Sequence, residues 1–146
     1  MTIKRMDHVS LVVDDIEAAK AFFVELGMEL EGEAPLEGPA VDRLNGIDGV
    51  RTRIAMMRTP DGHGKIELTK FHAPAALSAE PAVPPPNTLG FRSIMFAVED
   101  IDDVIARLRG HGAELVHEVV QYEDAYRLCY VRGPEGVIIA LAEELR

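Results

Sequence analysis

Apolar positions recur along this chain with two different periods, and the switch between them is written twice. In HVSLVV, Val9, Leu11 and Val13 fall on one side while His8, Ser10 and Val12 fall on the other, a period of two that predicts a strand. Ile16, Ala19, Phe22, Phe23 and Leu26 then recur at helical spacing behind Asp14, which reads as the helix cap with Glu17 as its capping-box partner. Gly27 ends that helix. The second copy opens with the strand-like IMFAV, continues with the stripe Ile101, Val104, Ile105 and Leu108, and places Gly112 where a left-handed C-terminal cap is needed. Each helix is followed by a strand (MELEGEA; AELVHEVV), a variable loop, and two strands around a Pro-acidic-Gly turn (RIAMMRTPDGHGKIELTKF; YRLCYVRGPEGVIIALAEE).

A shift of 85 positions superimposes Val13 on Val98, Asp15 on Asp100, Gly27 on Gly112 and Leu30 on Leu115, and a shift of 74 places RTPDG on RGPEG. The two shifts differ because the middles carry an indel. Their common order marks an internal repeat. The prediction is an α+β fold: two tandem βαβββ modules forming a curved mixed sheet around a shared cavity. The whole of 1–146 is expected to be one domain, with module 1 at about 4–71, a Pro-rich linker at about 72–89 and module 2 at about 90–145. Prolines 74, 81, 84, 85 and 86 oppose regular hydrogen bonding in the linker and favour a stiff, extended path.

A chain of 146 residues with 47% apolar content can bury one sizeable core. Its net charge of −10 opposes attraction to a phosphate backbone or an anionic membrane, so nucleic-acid and membrane partners are not expected. No apolar run reaches the ~20 residues needed to cross a bilayer, and the first residues lack a signal-peptide core. The lone Cys129 allows neither an internal disulfide nor a thiolate zinc cluster, so a reducing, cytoplasmic setting is expected.

Alternation also selects candidate chemistry. The more apolar side of the first strand should meet the helix, leaving His8 on the opposite face. In KIELTKF, Ile66 and Leu68 belong to the helix side, so Glu67 and Thr69 point with His8. An imidazole and a carboxylate on one face can ligate a divalent metal or exchange protons. Separately, a structural histidine and an exposed strand carboxylate are the ordinary outcomes for such residues. Arg53 and Arg127 superimpose under the 74-position shift. Because Ile54 and Leu128 suit the helix side better, both arginines are expected to face the cavity, holding a carboxylate or phosphate or pairing with acids of this chain. Cys129 shares strand parity with Arg127. No glycine-rich phosphate loop, serine nucleophile elbow, paired CxxC or HExxH helix is present.

The paired βαβββ pattern with DHVSLVVDDIEAAKAFFVELG, PDGHGKIEL and RGPEGVIIAL resembles the vicinal oxygen chelate superfamily, which includes glyoxalase I, methylmalonyl-CoA epimerase, extradiol dioxygenases, and fosfomycin- and bleomycin-resistance proteins. The resemblance covers almost all the chain outside the linker. It implies that His8 and Glu67 occupy the first module's metal-ligand positions, whereas the second module offers Ser93 and Ala140 there. The familiar four-ligand set is therefore incomplete. Tyr122, Glu123, Asp124 and Tyr126, in the polar loop QYEDAYRLCY, can close over a ligand or complete an atypical site. A homodimer is also implied.

Two functions follow from this resemblance. One is a glyoxalase- or dioxygenase-like small-molecule enzyme, a divalent-metal-dependent lyase or isomerase, with His8 and Glu67 as ligands and Glu67 as catalytic base where no metal binds. Zn, Ni, Mn, Co and Fe are equally compatible with that donor pair. The alternative is a metal-free protein of the bleomycin-resistance type that sequesters a small molecule. Arg53, Met95, Tyr126 and Arg127 are the candidate substrate-binding residues in both.

Overall fold

The computed structural model describes residues 2–145. The chain divides into two compact units, with the break after Leu77. The first unit comprises strand β1 (Val9–Val12), helix α1 (Ile16–Leu26), strand β2 (Glu29–Glu37), a short helix α2 (Pro39–Asn45), and strands β3 (Arg51–Arg58) and β4 (Lys65–Ala73). Its sheet has the order β1-β4-β3-β2. β1 runs parallel to β4, and the other pairs are antiparallel. This is the mixed sheet expected when a helix carries the chain between the first two strands and tight turns connect the last two.

Residues directly opposite in neighbouring strands share a face, so the registers Leu11↔Leu68, Ala55↔Leu68 and Met57↔Ile66 define one apolar surface. Helix α1 covers it with Ile16, Ala19, Phe22, Phe23 and Leu26, all buried. Phe22 and Phe23 meet edge to face at 5.1 Å. The helix is capped by Asp15 rather than Asp14: the Asp15 carboxylate accepts from the Ala18 backbone N–H at 3.0 Å. Asp14 instead accepts from Lys70 at 3.1 Å. Gly27 closes the helix at φ 125°, a conformation in which a β-carbon would be strained, and its N–H returns to the Phe23 and Val24 carbonyls.

The second unit repeats the plan with a variation. Strand β5 (Ser93–Val98), helix α3 (Ile101–Arg109), strands β6 (Glu114–Leu115), β7 (Val120–Tyr122) and β8 (Tyr126–Arg132), and strand β9 (Ile138–Glu144) follow in order. The sheet order is β5-β9-β8-β6, with β7 also pairing β8. The single strand expected over AELVHEVV is thus broken in two. Both pieces pair antiparallel with β8, through Glu114↔Arg132 and Val120↔Leu128. Ile139, Leu141, Cys129 and Val131 form the buried face under α3, whose Ile101, Val104, Ile105 and Leu108 complete the core. The α3 helix ends at Arg109 with Gly110 as its cap, and Gly112 takes its positive φ of 88° beyond it.

The Pro-rich segment is partly organised. His72 and Ala73 still belong to β4, and the residues after Leu77 pack with the second unit. Arg132 donates to the Gly136 carbonyl at 2.9 Å and to the Pro84 carbonyl at 2.8 Å, and Arg92 donates to the Pro86 carbonyl at 3.0 Å. Proline leaves carbonyls without matching N–H donors, and arginine supplies the missing partners. Together with Phe91, Val137 and Ile138, this segment walls a pocket of about 270 Å³.

Leu68 is fully buried between β1, β3 and α1. Leu68→Ala is expected to destabilise the protein by about 2–5 kcal/mol, measured by urea unfolding, through lost transfer energy and the cavity left behind. A loss within experimental error would mean that this face is not the core.

Candidate functional site

The face of the first unit's sheet turned away from α1 carries a compact polar group. Alternation brings Ser10 opposite Glu67, Val12 opposite Thr69, and Met56 opposite Glu67 on its other side. His8 precedes β1 with the same parity as Ser10. Its Nε2 lies 3.8 Å from Glu67 Oε2, with the imidazole 31% and the carboxylate 20% exposed. The pair expected from strand parity is therefore brought together.

Each member is held from its far side. Ser10 and Thr69 both donate to Glu67 Oε1, at 3.1 Å each, and their hydroxyls lie 3.4 Å apart. On the other side, His8 Nδ1 meets Asp7 Oδ1 at 2.9 Å, and Arg5 donates to Asp7 Oδ2 at 3.1 Å. The hydrogen bond from His8, with that from Arg5, holds the Asp7 carboxyl below its ordinary value. The two carboxylates thus have different tasks: Asp7 secures the imidazole, and Glu67 faces it across a gap. The parity of Ser10 and Thr69 is legible from alternation, but their joint grip on Glu67 depends on the parallel register of β1 and β4. Asp7 escapes sequence reasoning because it lies outside any periodic segment, and adjacency to a histidine is too common to signal a contact.

The donor set suits a divalent cation as far as it goes. With metal–ligand bonds of ~2.1 Å, two donors on one ion lie at most ~4.2 Å apart, so a 3.8 Å separation is compatible with a shared ion. Catalytic zinc sites ordinarily use three protein ligands. Among the described residues no cluster of three or more His, Cys, Asp or Glu is disposed to hold one.

The second unit repeats the positions without the chemistry. The register Ile94↔Ile139 and Met95↔Ala140 matches Val9↔Ile66 and Ser10↔Glu67. Ser93 and Ala140 therefore occupy the places of His8 and Glu67, as the repeat predicts. Met95 and Tyr126 lie on the face of this sheet away from α3, and Tyr126 stacks on Tyr122 at 6.5 Å. The expected loop over Tyr122–Tyr126 is a tight hairpin between β7 and β8, turned at Glu123 with φ 52°. Its Glu123 and Asp124 are exposed.

Both arginines lie on the helix side, contrary to expectation. Arg53 shares the face of Ala55 and Met57, with its guanidinium 3.6 Å from Glu33. Glu33 in turn accepts from Lys20 of α1 at 2.8 Å. Arg127 shares the face of Cys129 and Val131 and makes a two-pronged contact with Asp102, in the first turn of α3, at 2.8 and 3.1 Å. The inference from Ile54 and Leu128 fails because the helix covers the later residues of each strand. Near the strand start an arginine can lay its aliphatic stem along that face and reach acids at the helix edge. Cys129 follows the same parity into the core, where burial pushes its thiol up to about 11.

The family model of the Glyoxalase/Bleomycin resistance protein/Dioxygenase superfamily matches residues 5–141. A glyoxalase family protein from Bacillus cereus, known from a crystal structure, is 51% identical with a TM-score of 0.95, and the match covers 100% of this chain and 97% of that one. The Escherichia coli (strain K12) protein YaeR is 25% identical over 143 residues, 97% of this chain and 98% of that protein. A fosfomycin resistance protein from Listeria monocytogenes, crystallised with Mn(II) and 1S,2S-dihydroxypropylphosphonic acid, shares the fold. It is 14% identical with a TM-score of 0.63 over 96% of this chain and 90% of that one.

Two measurements check these placements. Hydrogen bonding from Arg127 lowers the Asp102 carboxyl below its ordinary 3.8, so its stabilising contribution is present above that value and is lost as the pH falls through the folded-state value. Asp102→Asn should therefore lower Tm near pH 7, and the difference from wild type should close as the pH is taken well below 3.8; a constant difference would contradict the ion pair. The Cys129 thiol should resist a thiol-exchange reagent near pH 8 until the protein is unfolded, whereas prompt reaction of the native protein would place it at the surface.

Proposed function

The chain belongs to the Glyoxalase/Bleomycin resistance protein/Dioxygenase superfamily, whose members bind small molecules, and from this premise we propose that it is a glyoxalase-like lyase or isomerase. The single observation that carries this reading is the His8 Nε2–Glu67 Oε2 pair at 3.8 Å on the sheet face away from α1. His8 and Glu67 would hold a divalent metal ion, which when bound supplies Lewis-acid polarisation of substrate oxygens. The residues themselves divide the remaining work. Glu67 Oε1 is occupied by two hydroxyl donors, so Oε2 is the oxygen directed at a ligand or at a substrate proton. Without a cation, Glu67 acts as the general base through that oxygen, with His8 as the adjacent hydrogen-bonding group. Met56, Ile54 and Val12 flank the pair on the same face and give a small organic molecule apolar surface beside the polar atoms.

A second reading is favoured by a specific observation in the second unit. Ser93 and Ala140 replace His8 and Glu67 at matched registers, so those two positions of the second copy supply neither imidazole nor carboxylate. Such a chain can serve as a metal-free binder that sequesters a small molecule unchanged. The exposed Met95 and the Tyr122–Tyr126 stack are then the natural contact surface of that unit.

Elemental mass spectrometry of protein purified without a metal-binding tag separates the two. For the enzyme reading, the expected result is stoichiometric metal in the wild type and its loss in both His8→Ala and Glu67→Ala, with each variant retaining its fold by circular dichroism. Wild-type protein that neither carries nor takes up Zn, Ni, Mn, Co or Fe would overturn the metal-dependent reading and favour the binder.

A further inference from the structure

We infer that Asp7, Ser10 and Thr69 are positioning residues that select which atoms of His8 and Glu67 face outward. The inference rests on the reading of that pair as a ligand set, and it concerns the groups that hold the two ligands from behind. At neutral pH the Asp7 carboxylate can only accept hydrogen bonds, so the 2.9 Å contact with His8 requires the proton on Nδ1. Neutral His8 then carries its lone pair on Nε2, the nitrogen turned toward Glu67. Arg5 occupies the other Asp7 oxygen and opposes rotation of the carboxylate.

Glu67 is fixed by the complementary device. Ser10 comes from the parallel neighbour β1 and Thr69 from two residues along β4, and both hydroxyls converge on Oε1. A glutamate on a strand face otherwise retains several rotamers. Two donors on one oxygen restrict it and leave Oε2 as the exposed donor atom. Nε2 and Oε2 are thereby presented together, each with its partner atom already satisfied.

The repeat supplies independent support. The registers Val9↔Ile66 and Ile94↔Ile139 place Ser10 on Met95, and Val12↔Thr69 with Ala97↔Ala142 places Thr69 on Ala142. The 85-position shift that carries His8 to Ser93 carries Asp7 to Arg92. Arg92 lies 5.1 Å over the Tyr130 ring and donates to the Pro86 carbonyl. Where the second copy has neither imidazole nor carboxylate, all three supporting groups are missing as well. Residues needed only for sheet stability would have no reason to disappear together with the pair they touch.

The test uses full-length, metal-free protein with nitrogen-15-labelled histidine, at about pH 8.5, roughly two units above the ordinary histidine value. Nitrogen-15 NMR reads the His8 tautomer in the wild type, Asp7→Ala and Asp7→Asn. The wild type should show the proton on Nδ1, Asp7→Ala should move it toward Nε2, and Asp7→Asn, which keeps an acceptor oxygen, should restore the wild-type form. Zinc affinity by chelator competition should fall roughly 10–100-fold in Asp7→Ala and in the Ser10→Ala/Thr69→Val double variant, with Tm unchanged for the exposed Asp7.

An unmoved tautomer in Asp7→Ala overturns the role of Asp7, whether or not zinc binds. Wild-type affinity in the Ser10/Thr69 variant overturns the grip on Glu67. If the wild type takes up no zinc while the tautomer follows Asp7 as stated, the positioning of His8 stands and the ligand reading falls. If wild type and all variants bind zinc with the same affinity and the tautomer does not move in Asp7→Ala, the positioning falls and the ligand reading stands.

Discussion

Everything placed with precision in this protein depends on covering one face of each sheet with a single helix. A strand offers its side chains alternately to the two faces, so once Leu68 or Leu141 is committed to the core beneath α1 or α3, every neighbour in register is committed too. A slip of one residue in β4 would exchange Glu67 for Leu68, burying a carboxylate and exposing a leucine. The cost of both errors holds the register, and the register sets the 3.8 Å gap between Glu67 and His8.

The same covering accounts for the arginines. A helix of 9 or 11 residues does not shield a whole sheet face, and the strand ends beyond it meet solvent and the acidic helix edge. Lys20, Glu33 and Arg53 form a charged fringe in the first unit, while Asp102, Arg127 and Glu143 do so in the second. Glu143 also accepts from the Ile101 backbone N–H at 2.9 Å, satisfying one of the free donors at the start of α3. In an acidic protein these fringes use cations to tie the helix to its sheet.

Duplication has kept the scaffold and released the chemistry. The apolar stripes, the Asp15 and Asp100 caps and the strand registers agree between copies, because a half-sheet without its helix leaves an apolar face in water. The open face carries no such demand. One copy there holds Asp7, His8, Ser10, Glu67 and Thr69; the other holds Arg92, Ser93, Met95, Ala140 and Ala142. Sites on that face can therefore diverge while the core stays fixed, consistent with a superfamily in which one fold serves several chemistries.

The sequence by itself determined the α+β class, the repeat, both amphipathic helices and the shared facing of His8 with Glu67. These follow from local periods of 2 and 3.6, which report burial without knowledge of distant partners. Only the tertiary structure decided that Asp15 caps α1, that the sixth strand breaks before the β7–β8 hairpin, and that Arg53 and Arg127 belong to the helix side. Those outcomes turn on competition between groups far apart in the chain: Lys70 for Asp14, Glu33 for Arg53, Asp102 for Arg127. The grip of Ser10 and Thr69 on Glu67 belongs with them, because it exists only where β1 lies beside β4, 57 residues away along the chain. Periodicity fixes which way a side chain points, whereas what it meets depends on the strand or helix brought alongside it.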